Sequence, residues 1–161
     1  MIVIVMGVVG AGKTTVGGML ADQLHWEFTD ADDFHPPSNV EKIRDGIPLT
    51  DADRKPWLDL LHQAITQWIA TGKSVVLACS ALKASYRSKL KVSQEVRFVF
   101  LKGSAALIAE RLHERHGHFA GESILASQLA DLEEPEDALT VNISSSPHQI
   151  VEEIRKGLGL E

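Results

Sequence analysis

The chain has 161 residues, 44% of them hydrophobic and 24% charged, with a formal net charge of −6 and one cysteine. Those proportions suit one soluble globular domain spanning 1–161, and they oppose a sequence-independent grip on nucleic acid, which needs a basic face. Lone Cys79 excludes an intrachain disulfide and suits a reducing compartment, so a cytoplasmic location is expected.

The opening MIVIVMGVV is apolar, yet it lacks a basic leader, runs into Gly-Ala-Gly-Lys and falls short of the roughly 20 residues that cross a bilayer. It reads as a buried first strand, Ile2–Met6, and no membrane association is expected. Further β-branched or aromatic runs follow at Trp26–Thr29, Ser74–Ala78, Val96–Leu101 and Thr140–Ile143, each bounded by glycine, polar or charged residues. Between them lie helical patterns: Val16, Met19, Leu20 and Leu24; then Leu58, Leu61, Ile65, Trp68 and Ile69, closed by Gly72; then Leu107, Ile108 and Leu112. The last, through Ile150, Val151 and Ile154, has Ser146 as its N-cap, Pro147 in its first turn and Gly157 just past its end. Pro36-Pro37 is too local to divide the chain, and no repeat or low-complexity linker does so. Alternation of near-continuous apolar strands with amphipathic helices implies an α/β fold, a parallel sheet covered on both faces, with ligands beyond the carboxyl ends of its strands.

The residues with unusual chemistry fall at that edge. GVVGAGKT, residues 7–14, matches G-x-x-x-x-G-K-[ST] between a predicted strand and helix, the context that a P-loop requires. Gly7, Gly10 and Gly12 let the main chain wrap around phosphate, and Val8, Val9, Ala11 and Thr15 extend the cradle. Lys13 reaches the β- and γ-phosphates, and Thr14 can ligate Mg²⁺, so ATP with magnesium is the expected ligand. After the second strand come Asp30, Asp32 and Asp33 in FTDADDFHPP. If strand alternation continues, Asp30 and Asp32 share a side facing the γ-phosphate, one orienting metal-bound water and the other accepting the proton of an attacking hydroxyl. Mg²⁺ and Lys13 would offset their repulsion. A solvated acidic turn is the plainer alternative.

DADDFHPPSNVEKIRDGIPLTDADRKPWL (30–58), CSALKASYRSKL (79–90), LKG (101–103) and RHGHF with the later SQLADLEEP (115–135), standing in this order behind the P-loop, resemble the gluconate kinases, relatives of shikimate kinase among the small P-loop kinases. The likeness covers essentially the whole chain. It implies a three-layer fold around a five-stranded parallel sheet of order 2-3-1-4-5, a lid over about 112–124, a homodimer, and ATP-dependent phosphorylation of D-gluconate at its 6-hydroxyl. An aldonate, with one carboxylate and a row of hydroxyls, needs fixed cations and several hydrogen-bonding side chains. Arg54, Lys83 and Arg87 are the candidate cations; Asp32, His35 and Ser80 are the candidate polar partners, with Asp32 as catalytic base. Asp30 joins Thr14 as a candidate metal ligand. Pro-Pro after His35 is expected to stiffen the loop.

Arg111 and Arg115, near His113, His116 and His118, resemble the cations of a lid that closes over ATP and stabilises charge on the transferring group. Zinc on those histidines is a rival without a nearby cysteine. Trp57 and Trp68 read as packing residues, with Trp57 close enough to Arg54 to line the acceptor site. Adenine recognition is expected near Ser144–Pro147. One departure is visible: relatives commonly carry serines where this chain has Val9 and Ala11, which implies differently tuned ATP contacts. A guanine-nucleotide switch would need N-K-x-D, and D-x-x-G after the third strand; neither occurs. A kinase of another small anionic alcohol, such as shikimate, is the nearest alternative.

Overall fold

The computed structural model describes residues 1–116 and 120–160, without the side chains of 115, 116 and 120–123. Its described elements alternate. β1 (Ile2–Met6) leads through the phosphate loop into α1 (Lys13–Leu24); β2 (Glu27–Asp30) is followed by a 3₁₀ turn (Ala31–Phe34), α2 (Pro37–Arg44) and α3 (Asp51–Ala70). β3 (Val75–Ala78), α4 (Ala84–Leu90), β4 (Val96–Lys102), α5 (Ala105–His116), α6 (Ala120–Asp131), β5 (Leu139–Asn142) and α7 (Pro147–Leu158) complete the order. The strands form one parallel sheet ordered β2-β3-β1-β4-β5, as expected.

Alternation along the strands divides the core. Val3 and Val5 of β1, Val76 of β3, and Val99 and Leu101 of β4 face Val16 and Leu20 of α1, Ile108 of α5 and Ile150, Val151 and Ile154 of α7. Ile2, Ile4 and Met6, with Val75, Leu77, Phe98 and Phe100, face Trp57, Leu58, Leu61 and Ile65 of α3 and Tyr86 and Leu90 of α4. Each such side chain, fully buried, contributes about 1.5–3 kcal/mol. β1 is covered on both faces and flanked by neighbours, so all five of its residues are inaccessible. Among the described residues no helix is long and apolar enough to cross a membrane.

Three local findings differ from the sequence reading. The chain does not continue as a strand after Asp30: its carboxylate accepts the Asp32 main-chain N–H at 2.9 Å and starts the 3₁₀ turn. Pro36 and Pro37 do not stiffen a loop; they stand at the N-cap and first position of α2, where a missing N–H costs nothing. Gly157 lies inside α7, where a Cβ would meet Leu139 at 2.6 Å, and the left-handed C-cap is Gly159. Ser146 does cap α7, accepting the Gln149 N–H.

Candidate active site

Register places the carboxyl ends of three neighbouring strands level: Asp30 pairs with Ala78, and Ala78 with Val5. The segments leaving those ends therefore converge. From β1 comes the phosphate loop, where Gly10 and Gly12 adopt φ of 82° and 96° in the left-handed region. A Cβ on Gly10 would also approach Leu112 Cγ within 2.7 Å, so space and conformation both require glycine there. The loop ends on the N-terminus of α1, whose unpaired amides and dipole favour an anion. Lys13 Nζ donates to the Val8 carbonyl at 3.0 Å, folding the side chain over the loop.

β2 supplies the acidic group. Asp30 is shared between two bonds, one oxygen accepting from Thr14 Oγ1 at 3.1 Å and the other from the Asp32 amide. Thr14 and Asp30 thus stand together as two hard oxygen donors beside the phosphate loop, a set that fits Mg²⁺, which takes few protein ligands and keeps water and phosphate oxygens. Among the described residues no group of three or more His, Cys, Asp or Glu is placed to hold a metal. Partial loss of water raises the Asp32 carboxyl above the usual carboxylate range, Asp30 and Asp33 add to this, and Lys13 opposes it. The Asp32 side chain is still 77% accessible in the open cleft, which limits the shift. Lys13 is drawn below the ordinary lysine value by desolvation, against the pull of Asp32, Cys79 and Asp30.

Two recesses flank the loop. One is lined by Gly10, Gly12, Thr15, Arg111, Ser145 and Pro147, so the loop after β5 meets the phosphate loop where adenine recognition is expected. Arg111 is fixed there by donating to the Ile143 carbonyl at 2.6 Å. The other is lined by Val9, Lys13, Asp32, His35, Arg54 and Ser80, together with Trp57, Ile124 and Gln128. Seven of the sequence candidates thus share one cavity: Val9, Lys13, Asp32, His35, Arg54, Trp57 and Ser80.

α3 positions Arg54. Thr50 and Asp53 form a reciprocal capping box, the Thr50 hydroxyl accepting the Asp53 N–H and the Asp53 carboxylate accepting the Thr50 N–H. That fixes the first turn, and Arg54 Nη1 then donates to the Tyr86 hydroxyl at 3.0 Å and to Asp131 at 2.9 Å. Arg54 is 6% exposed. Burial works against its charge, but Tyr86 and Asp131 more than offset it, and the group stays above the ordinary arginine value. Trp57 ties the same helix to the acidic turn by donating Nε1–H to the buried Ala31 carbonyl at 2.7 Å.

Lys83 and Arg87 are not brought into this cavity. Lys83 pairs with Asp51 at 2.9 Å, and Tyr86 also donates to that carboxylate. Arg87 spends its guanidinium on main-chain carbonyls of Ala81, Leu82 and Glu133, pinning the segment after β3 to the one after α6. The side chains of Arg115 and His116, and residues 117–119 within the expected lid, lie outside the described residues. Four residues here were not singled out from sequence: Asn39, Tyr86, Gln128 and Asp131. Gln128 accepts the Val9 N–H at 2.7 Å, joining α6 to the phosphate loop. The signal of Tyr86, Gln128 and Asp131 was weak because each acts through a partner distant in sequence.

A family model for shikimate kinase matches residues 9–157. The gluconokinase of Gluconobacter oxydans is 48% identical over 147 residues, covering 90% of this chain and 83% of its own. The chain belongs to the gluconokinase family. Solved structures agree: a gluconokinase from Sinorhizobium meliloti superimposes with a TM-score of 0.88 at 42% identity, covering 98% of this chain and 90% of its own. An unliganded sugar kinase from Janibacter sp. HTCC2649 gives 0.90 at 41% identity, covering 99% and 94%. These three matches cover 90–99% of the chain.

Proposed function

We propose that this chain transfers the γ-phosphoryl group of ATP to the 6-hydroxyl of D-gluconate, giving 6-phospho-D-gluconate and ADP. The observation that carries the reading is the cavity in which Lys13 and Asp32, beside the phosphate loop, face His35, Arg54 and Ser80, in a chain of this family. Main-chain amides from Gly7 to Thr15 hold the phosphates, with Lys13 placed for the β- and γ-oxygens. Thr14 and Asp30 would hold Mg²⁺, which when bound would supply neutralisation of the phosphate charge. Arg54 pairs with the sugar-acid carboxylate, and His35 and Ser80 meet hydroxyls.

The hydroxyl oxygen forms the new bond to phosphorus, its proton passes to Asp32, and the bond to the β–γ bridging oxygen breaks as ADP leaves. Raising the Asp32 carboxyl above the usual range brings its proton affinity closer to that task. Arg111 lies on the nucleotide side, and a lid over about 112–124 in one domain of 1–161 brings Arg115 to the same phosphates. A homodimer and a cytoplasmic location belong to the same reading, supported by the family resemblance and by Cys79 as the sole, buried thiol.

The test is the identity of the product. After incubation of the purified chain with Mg-ATP and D-gluconate, phosphorus–proton correlation spectra should place the new phosphate on carbon 6. Phosphate on another carbon would overturn the assignment of the reacting hydroxyl. Transfer to shikimate in preference to gluconate would replace the substrate.

A further inference from the structure

His35 is held on three sides. Its ring stacks on Trp57, with centroids 4.4 Å apart and planes 11° from parallel. Nδ1 lies 3.2 Å from Nδ2 of Asn39. Nε2, at the opposite edge, lies 3.9 Å from Asp32 Oδ1, and the His35 side chain is 5% exposed.

Asn39 is the informative neighbour. It is 2% exposed, and its Nδ2 also donates to the Asp53 main-chain carbonyl at 2.8 Å. An amide oxygen in that place would face the carbonyl oxygen at bonding distance with no hydrogen between them, so the Asp53 carbonyl selects the nitrogen. The choice passes along the chain of contacts. An NH₂ group only donates, so Nδ1 of His35 must accept, and a neutral imidazole that accepts at Nδ1 carries its proton on Nε2. Asp53 cannot drift from this arrangement, because Lys42 and the Thr50 amide hold its carboxylate.

We infer that Asn39 is a positioning residue that fixes His35 as the Nε2–H tautomer, so that the imidazole offers an acceptor hydroxyl beside Asp32 a donor and not a base. This rests on the reading of the cavity as the acceptor site. A hydroxyl oxygen at ordinary hydrogen-bond distance from both groups bridges the 3.9 Å between Nε2 and Asp32 Oδ1. It receives a hydrogen bond from His35 and gives one to Asp32. Desolvation and Arg54 hold the ring neutral, with its pKa pushed down to about 4 against the pull of Asp30. Since Nδ1 is committed to Asn39 and Nε2 is already protonated, the hydroxyl proton is left with Asp32 as its receiver. Arg54 stands on α3, Asp30 at the end of β2 and Asp32 on the 3₁₀ turn, so the ring is enclosed by charges from three elements.

The tautomer is read directly from long-range proton–nitrogen correlations of the imidazole in the full ligand-free chain at neutral pH, with the His35 signals identified by their loss in His35→Gln. The expected pattern is an unprotonated Nδ1 and a protonated Nε2. An Nδ1–H or doubly protonated ring would overturn the inference, whether or not any variant folds. Asn39→Asp replaces the donor with an acceptor; it should move the ring proton to Nδ1 and leave Nε2 without one. The same change should raise KM for D-gluconate about tenfold, the scale of one lost hydrogen bond, with KM for ATP unchanged. A merely structural role would instead lower the active fraction, and hence kcat, with both KM values intact. An unchanged tautomer and unchanged gluconate KM in Asn39→Asp would also overturn it. Because the spectrum needs no substrate, a wild-type Nε2–H ring in a protein that does not phosphorylate gluconate would sink the substrate reading alone.

Discussion

Trp57→Phe separates packing from catalysis at one residue. Trp57 is 2% exposed, and its Nε1–H is the partner of the Ala31 carbonyl in a region where Ala31 itself is fully buried. Phenylalanine removes the donor, leaving that carbonyl without its partner at a cost of about 1–3 kcal/mol. The smaller ring also leaves a void worth about 1 kcal/mol, while part of the stack on His35 survives. The expected loss is about 2–4 kcal/mol, a large share of the roughly 5–15 kcal/mol that holds a domain folded. Urea unfolding followed by circular dichroism measures it directly, and the melting temperature should fall by roughly 4–16 °C. Ala31 opens the 3₁₀ turn that carries Asp32, so kcat should fall as well under conditions where the variant is fully folded. A stability change below about 0.5 kcal/mol, the range of neutral surface substitutions, would refute the assigned hydrogen bond. A destabilised variant with wild-type turnover would show that Trp57 supports only the core.

Asp32→Asn should lower kcat by about 10²–10⁴-fold while nucleotide affinity, measured by calorimetry, stays within a few-fold; near-normal turnover would remove Asp32 as the base. Gly10→Ala puts a Cβ against Leu112 at a φ of 82°, so both ATP binding and thermal stability should drop, and a variant that binds ATP normally would contradict the described loop. His35 titrates at about 4 in the folded chain, below the ordinary 6.5 or so. Between those values the unfolded chain binds the extra proton, so folding stability falls as pH drops from about 6.5 to about 4, by up to about 3 kcal/mol. His35→Gln should lose less over that window, and equal losses in the two proteins would refute the low value.

Much of the scaffold was legible because its signals are local. Ile2–Met6 ahead of GVVGAGKT identifies a buried strand and its phosphate loop from adjacent residues, and Ser146-Pro147 marks the start of α7 in the same way. The acidic turn was harder. Alternation predicts Asp30 and Asp32 on one side, but the Asp30 carboxylate captures the Asp32 amide and bends the chain, a side-chain bond that periodicity does not encode. Pro36-Pro37 could equally stiffen a loop or open a helix; the helix brings Asn39 to His35 four residues back. Arg87 looked like Arg54 in sequence, each an arginine in a motif. Only the tertiary fold distinguishes one that faces the cavity from one that satisfies carbonyls of Ala81, Leu82 and Glu133. Gln128 and Asp131 matter because α6 packs across the phosphate loop and Arg54, over sequence separations of 119 and 77 residues.

The most direct measurement is ADP release from Mg-ATP by the purified protein, alone and with D-gluconate, 5-ketogluconate, shikimate or adenylate. The cavity of Lys13, Asp32, His35 and Arg54 predicts strong stimulation by D-gluconate and little by the other three. ATP binding without stimulation by gluconate would leave the phosphate loop standing and contradict the assigned acceptor.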